Sequence, residues 1–267
     1  RPGACGSIEL TVDGAIATVV LSHPGKFNAM SRAMWRRLRE LFLELPARAD
    51  LRCVVVRGEG AQFCAGGDIA EYPAFRFQPD RLRAFHEDEV WGALGALLDC
   101  DLPLVAAIAG HCMGAGVEIA SCCDIRVAAA DARFGAPIAR LGFPMAPREA
   151  QLVARALGEA TARELLLEAA VLDAAEMQAR GFLQRVLPDA AAMHAHALER
   201  ARRIAALAPQ AARLNKQTLR ALNGPSALAG QAPAAIENIV HWAYDYADSA
   251  EHREGIDAFL AKRPARF

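Results

Sequence analysis

The sequence predicts an α/β fold assembled from parallel βαβ units. Two short apolar runs, Cys53-Val54-Val55-Val56 and Leu104 to Ala109, read as strands buried on both faces. Each empties into a glycine-rich loop, Gly58 to Asp68 and Gly110 to Gly116, and each loop leads into a helical segment. The chain has 267 residues, 54% of them hydrophobic and 23% charged. That is enough for a sizeable core, organised as one α/β body with a smaller appendage or as two modest domains.

The elements follow in order. Ile8–Leu10 and Ala15–Leu21 read as strands joined at Asp13-Gly14, a residue pair favoured in tight hairpins. Ser31 is a good N-cap, and Met30 and Trp35 have the spacing of a hydrophobic staple, so a helix runs from there to about Leu45, stopped by Pro46. A helical stretch covers Asp80 to Asp99. Helical character resumes at Val117, and Ile125 to Ala128 is a further strand. From Arg148 onward the chain is Ala-rich and helical, punctuated by Pro188, Pro209, Pro225 and Pro233, with helix periodicity over 191–207 and 211–222. A boundary near residue 205 separates an α/β core, 1–204, from a helical portion, 205–267.

Thirty Lys and Arg against 31 Asp and Glu leave a net charge of −1, without the excess that marks nucleic-acid binding. The clusters Arg36, Arg37, Arg39 and Arg200, Arg202, Arg203 read as solvated helix faces. The longest apolar run, Leu102 to Gly110, is too short for a membrane span, and no apolar leader is visible at the start. Seven scattered cysteines without a CxxC pair suggest reduced thiols in a cytoplasmic protein and no zinc site. His194 and His196, two apart on a helix, point to different faces, so no metal ligation is expected of them.

Glycine allows a backbone to pass close to a ligand, and a helix N-terminus offers N–H donors without intrahelical partners. Two such loops side by side would aim two N–H groups at one oxygen, the geometry that stabilises charge developing on a carbonyl. The alternative is a pair of tight βα turns. A dinucleotide site is disfavoured, because Ile119 stands where the third glycine of GxGxxG would be. Cys64 and Cys112 lie in the loops but have no His–Asp partner at a suitable spacing, which argues against a thiol nucleophile.

The motif Phe63-Cys64-Ala65-Gly66-Gly67-Asp68 resembles the F-C-A-G-x-D loop of the crotonase (enoyl-CoA hydratase/isomerase) superfamily. So do Leu102 to Gly110, Gly114-Ala115-Gly116-Val117-Glu118-Ile119-Ala120 and Cys123-Asp124-Ile125-Arg126, which match its central signature. Asn28-Ala29-Met30, Phe134-Gly135-Ala136-Pro137, Leu141-Gly142 and the ending from Arg253 to Arg263 fall in the family's order. The resemblance spans nearly the whole chain. It implies a crotonase-like spiral of ββα units, a C-terminal helical trimerisation region giving a trimer or a dimer of trimers, and an acyl-CoA thioester substrate. Coenzyme A enters as part of that substrate, with no separate cofactor.

Position by position, the resemblance assigns the oxyanion-hole N–H groups to Gly67 and Ala115 and a catalytic carboxylate to Glu118. It assigns contacts with acyl-CoA to Lys26, Ala65, Asp68, Phe259, Lys262 and Arg263, the last three often reaching a neighbouring subunit. His111 borders the active loop. The stretch Glu71 to Phe85 supplies pocket walls that set the acyl group. The hydratases' second glutamate falls in F-G-x-P-E, and here that place is Ile138, beside the acyl pocket. One of two proton handlers is therefore expected to be missing, which predicts a poor hydratase. Glu149, eleven residues on, is the nearest acid, but it lies beyond the positions where the family places substitutes. The readings left open are an enoyl-CoA hydratase, an isomerase or other enolate-using lyase, and an acyl-CoA-binding protein with little turnover.

Overall fold

The structure of the protein, a computed structural model, describes residues 6–223 and 237–267. The chain opens with the hairpin β1 (Ser7–Asp13) and β2 (Ile16–Ser22), then α1 (Arg32–Glu44) and β3 (Cys53–Gly58). Helices α2 (Pro79–Ala84) and α3 (Trp91–Asp99) are joined by one π-helical stretch over Phe85–Val90. Next come β4 (Leu104–Ile108), β5 (His111–Met113), α4 (Ala115–Cys122), β6 (Ile125–Ala129) and β7 (Arg133–Gly135). The rest comprises α5 (Pro147–Leu157), α6 (Glu159–Leu167), β8 (Val171–Asp173), α7 (Ala174–Ala179), β9 (Arg185–Leu187), α8 (Ala190–Ala205), α9 (Pro209–Asn223) and α10 (Ala250–Leu260).

Two sheets result. The larger has the order β1-β2-β3-β4-β6-β9, parallel except for the opening hairpin, and the smaller has the order β5-β7-β8. The chain visits them alternately, β4 then β5 and β6 then β7, which makes each ββα unit one turn of a spiral. The strands β5, β7, β8 and β9 have three residues each, too few for a periodicity signal. This is why 110–116 reads as loop alone and the segment after Arg148 reads as purely helical.

The local chemistry predicted for the first helix is present. The Ser31 side chain accepts from the Met34 N–H at 3.2 Å, while Met30 and Trp35 are both buried in the core. Strand β3 is buried on both faces: Val54 and Val56 join the main core, whereas Cys53 and Val55 face Met193, Ala197 and Ala201 of α8. Thus α8 belongs to the core, covering the outer face of the large sheet up to its end at Ala205. Arg126, itself buried, donates from Nε to the Phe182 carbonyl at 2.7 Å and from its guanidinium to the Ala120 carbonyl at 3.3 Å. A cation against the last carbonyls of α4 fixes the helix that carries Glu118.

Helix α9 is pinned to the core by polar contacts. Lys216 Nζ reaches the Leu102 carbonyl at 2.7 Å and Asp124 at 2.8 Å, and Arg220 pairs with Asp101 at 2.7 Å. The C-terminal segment leaves Tyr244, Ile256, Phe259 and Leu260 exposed. Pro225 and Pro233 lie outside the described residues. No helix among them is long and apolar enough to cross a membrane.

Candidate active site

The two glycine loops meet. Cys64 and Cys112 form a parallel bridge, the Met113 N–H donates to the Cys64 carbonyl at 2.9 Å, and α4 begins directly beyond. Backbone crowding forces glycine at Gly116, and a side chain at Gly67 would displace Tyr72. A Cβ on Gly116 would stand 2.6 Å from the Cys64 carbonyl oxygen, and one on Gly67 would stand 2.2 Å from the Tyr72 hydroxyl. On the other side, Met30 donates to the Gly66 carbonyl and accepts from the Asp68 N–H, both at 2.8 Å. In such a bridge the N–H of Gly67 points away from Met30. Ala115 is the first residue of α4, where an N–H has no intrahelical partner. Neither N–H has an acceptor among the described residues, and both residues line one cavity of about 350 Å³.

Ala65, Glu118 and Ile138 line the same cavity, as does Glu149. The expectation that Ile138 leaves a single carboxylate does not hold. The short 3₁₀ helix Pro137–Leu141 ends at Gly142 in a left-handed turn, φ 82°, and α5 then returns to pack against α4. This puts Glu149, in the first turn of α5, on the wall of the same cavity as Glu118, where the two carboxyls interact electrostatically. Glu149 is 3% exposed and Glu118 6%. The eleven-residue gap in sequence therefore closes in space.

Burial and the neighbouring carboxyl hold Glu118 well above the carboxylate range, and burial takes Glu149 up to about 8. His86, from the π-helical stretch, supports Glu149: its Nδ1 lies 2.8 Å from Glu149 Oε1, and its Nε2 lies 3.4 Å from an Arg76 guanidinium nitrogen. Arginine can only donate, so Nε2 accepts, and Nδ1 carries the hydrogen given to Glu149. Burial, reinforced by Arg76, lowers the His86 pKa and keeps the ring neutral. Tyr72 and Arg76 belong to the stretch Glu71 to Phe85 expected to wall the pocket, whereas Glu149 and His86 escape a reading by motif because only the fold brings them to the cavity.

Other predicted residues take different places. Asp68 does not line the cavity; it pairs with Lys26 at 2.7 Å and caps the following 3₁₀ helix through the Ala70 N–H. Lys26 is partly exposed beside it, and His111 lines the cavity, held to Gln62 at 2.6 Å. Phe259, Lys262 and Arg263 do not line the cavity of their own chain; Phe259 is 81% exposed and Arg263 pairs with Glu254. The thiols of Cys64 and Cys112 are buried, which pushes Cys64 up to about 12 and Cys112 well up, so both stay neutral.

The family model described as enoyl-CoA hydratase/isomerase matches residues 11–267. The chain belongs to the enoyl-CoA hydratase/isomerase family. A crystal structure of an enoyl-CoA hydratase/carnithine racemase from Magnetospirillum magneticum superposes with a TM-score of 0.90 at 36% identity, covering 99% of this chain and 96% of that one. Pseudomonas aeruginosa AtuE superposes with a TM-score of 0.88 at 30% identity, covering 97% and 98%. The "Probable enoyl-CoA hydratase echA8" of Mycobacterium bovis is 33% identical over 178 residues, 66% of each chain. The human mitochondrial Delta(3,5)-Delta(2,4)-dienoyl-CoA isomerase is 31% identical over 197 residues, 70% of this chain and 60% of its own. Members of the enoyl-CoA hydratase/isomerase family thus carry names for both water addition and double-bond migration.

Proposed function

We propose that the protein is an enoyl-CoA hydratase that adds water across a 2-enoyl thioester. The observation carrying this reading is the Glu118–Glu149 pair, both raised by burial with Glu149 at about 8, on the wall of the cavity that Gly67 and Ala115 also line. Near that pH Glu149 gives up its proton and can act as base while Glu118 keeps its own. Water addition needs both forms at once, a base for the water and an acid for the α-carbon.

Glu149, oriented by the His86 N–H, takes a proton from water as the oxygen bonds to the β-carbon. The electron pair of the double bond moves toward the thioester, whose oxygen becomes enolate-like and accepts from the Gly67 and Ala115 N–H groups. Glu118 then gives its proton to the α-carbon. The proton on Glu149 crosses the contact to Glu118, which restores the starting state. Ile138 contributes an apolar wall that keeps Glu118 protonated. The wild-type protein converts crotonyl-CoA to 3-hydroxybutyryl-CoA, followed as loss of the conjugated thioester absorbance; absence of turnover contradicts this reading.

Assembly is part of the same proposal. The apolar surface at Tyr244, Ile256, Phe259 and Leu260 is more than a small appendage buries alone, and it suits a trimer or a dimer of trimers that would bring Phe259, Lys262 and Arg263 to a neighbour's thioester site. Light scattering at micromolar concentration should give three or six times 28.6 kDa. A monomer contradicts this.

A further inference from the structure

Next to the carboxyl pair stands a cation that, among the described residues, touches no carboxylate directly. Arg76 follows the 3₁₀ helix Ile69–Ala74 and is half-buried. Its guanidinium lies 3.5 Å from the Phe143 ring centre and 4.7 Å from that of Tyr72, so rings cover it. Its hydrogen-bonding edge meets only His86 Nε2, at 3.4 Å, and among the described residues it forms no ion pair. Of the other arginines around the two cavities, Arg148 meets Glu87 at 2.9 Å and Arg36 meets Glu89 at 3.4 Å, while Arg83 is solvent-exposed on the second cavity rather than half-buried at the shared wall.

Arg76 also stands on the wall between two cavities. The 350 Å³ site shares Tyr72, Arg76, His86, Leu141 and Phe143 with a second cavity of about 1260 Å³. Beyond this wall the second cavity is lined by apolar groups such as Phe77 and Leu82, with the charged Arg83, Glu87 and Arg148 among them. An acyl chain passing Glu118 and Glu149 toward it meets the edge of Arg76. A planar cation stacked on rings, with free in-plane N–H groups, matches a carboxylate, which accepts two parallel N–H bonds. A purely hydrocarbon chain would leave those donors unmatched, at a cost in a partly buried place.

We propose that the acyl group this site takes carries a carboxylate at its far end, and that Arg76 receives it. This rests on the thioester reading above and names the substrate class within it. Arg76 is then a binding and specificity residue, with the Tyr72 hydroxyl a second polar group on the same wall.

The test uses saturated thioesters, which bind without reacting, so a failure of turnover cannot mimic a failure of recognition. Affinities are measured by calorimetry for pairs of equal length, one ω-carboxylated and one plain: succinyl- and butyryl-CoA, adipyl- and hexanoyl-CoA, suberyl- and octanoyl-CoA. In the wild type at least one carboxylated member should bind about tenfold or more tightly than its partner. In Arg76→Met the ratio for that pair should fall to about one, while Arg76→Lys, which keeps the charge and loses the planar fork, should fall between. Melting curves establish that each variant is folded, and the wild-type ratio stands independently of both. No preference in any wild-type pair overturns the proposal, as does a preference that survives in folded Arg76→Met. If no thioester binds at all, the thioester reading falls together with it.

Discussion

Replacing Glu149 by Gln lowers crotonyl-CoA hydration by about 10²–10⁴-fold, or about 3–5 kcal/mol of transition-state stabilisation. The amide keeps the volume and still accepts from the His86 N–H, but it takes no proton from water. Stability moves the opposite way. Burial holds the Glu149 carboxyl up to about 8, above its ordinary 4.5. The folded protein thus keeps a proton that the unfolded chain releases, and wild-type stability declines as pH rises from about 4.5 toward 8. The amide of Glu149→Gln does not titrate, so the melting temperature of the variant gains on that of the wild type between pH 5 and pH 8. A variant that keeps its rate, or a melting difference that does not grow with pH, contradicts the role given to Glu149.

Ala115→Pro removes one proposed oxyanion donor with little change to the helix. Ala115 is the first residue of α4, where proline's fixed φ suits the helix and the missing N–H breaks no intrahelical bond. The expected loss is about 10²–10³-fold in kcat, the usual cost of one such donor. The preceding Gly114 has φ 48° and ψ −109°, and proline narrows its freedom, so a melting curve accompanies the rate. A folded variant with wild-type kcat removes Ala115 from the oxyanion site.

The architecture is largely legible in the sequence because its signals are local. Apolar runs mark β3 and β4, Ser31 marks the start of α1, and the glycine loops mark where the chain crosses itself at the Cys64–Cys112 bridge. The three-residue strands carry no such signal. The cavity lining is legible where a motif fixes it, at Ala65, Gly67, Ala115, Glu118 and Ile138, and coarsely over the stretch Glu71 to Phe85. Substitution of the motif acid by Ile138 points to a lost proton handler, yet Glu149 reaches Glu118 through a left-handed turn at Gly142 and the packing of α5 on α4. That is a tertiary fact, invisible to spacing. The same applies to His86, whose π-helical stretch reads as ordinary helix in the sequence.

Glu118 and Glu149 are proposed to act as one unit, and hydration of crotonyl-CoA by the wild-type protein in deuterated water tests this most directly. Turnover is expected at ordinary enzymatic rates, about 10–10³ per second, with a hydroxyl on the β-carbon and one deuterium on the α-carbon. Glu118→Gln and Glu149→Gln should each remove most of that rate, and the double variant should lose little more, as for groups that work together. Intact crotonyl-CoA after prolonged incubation with folded wild-type protein, or hydration that persists in the double variant, would contradict it.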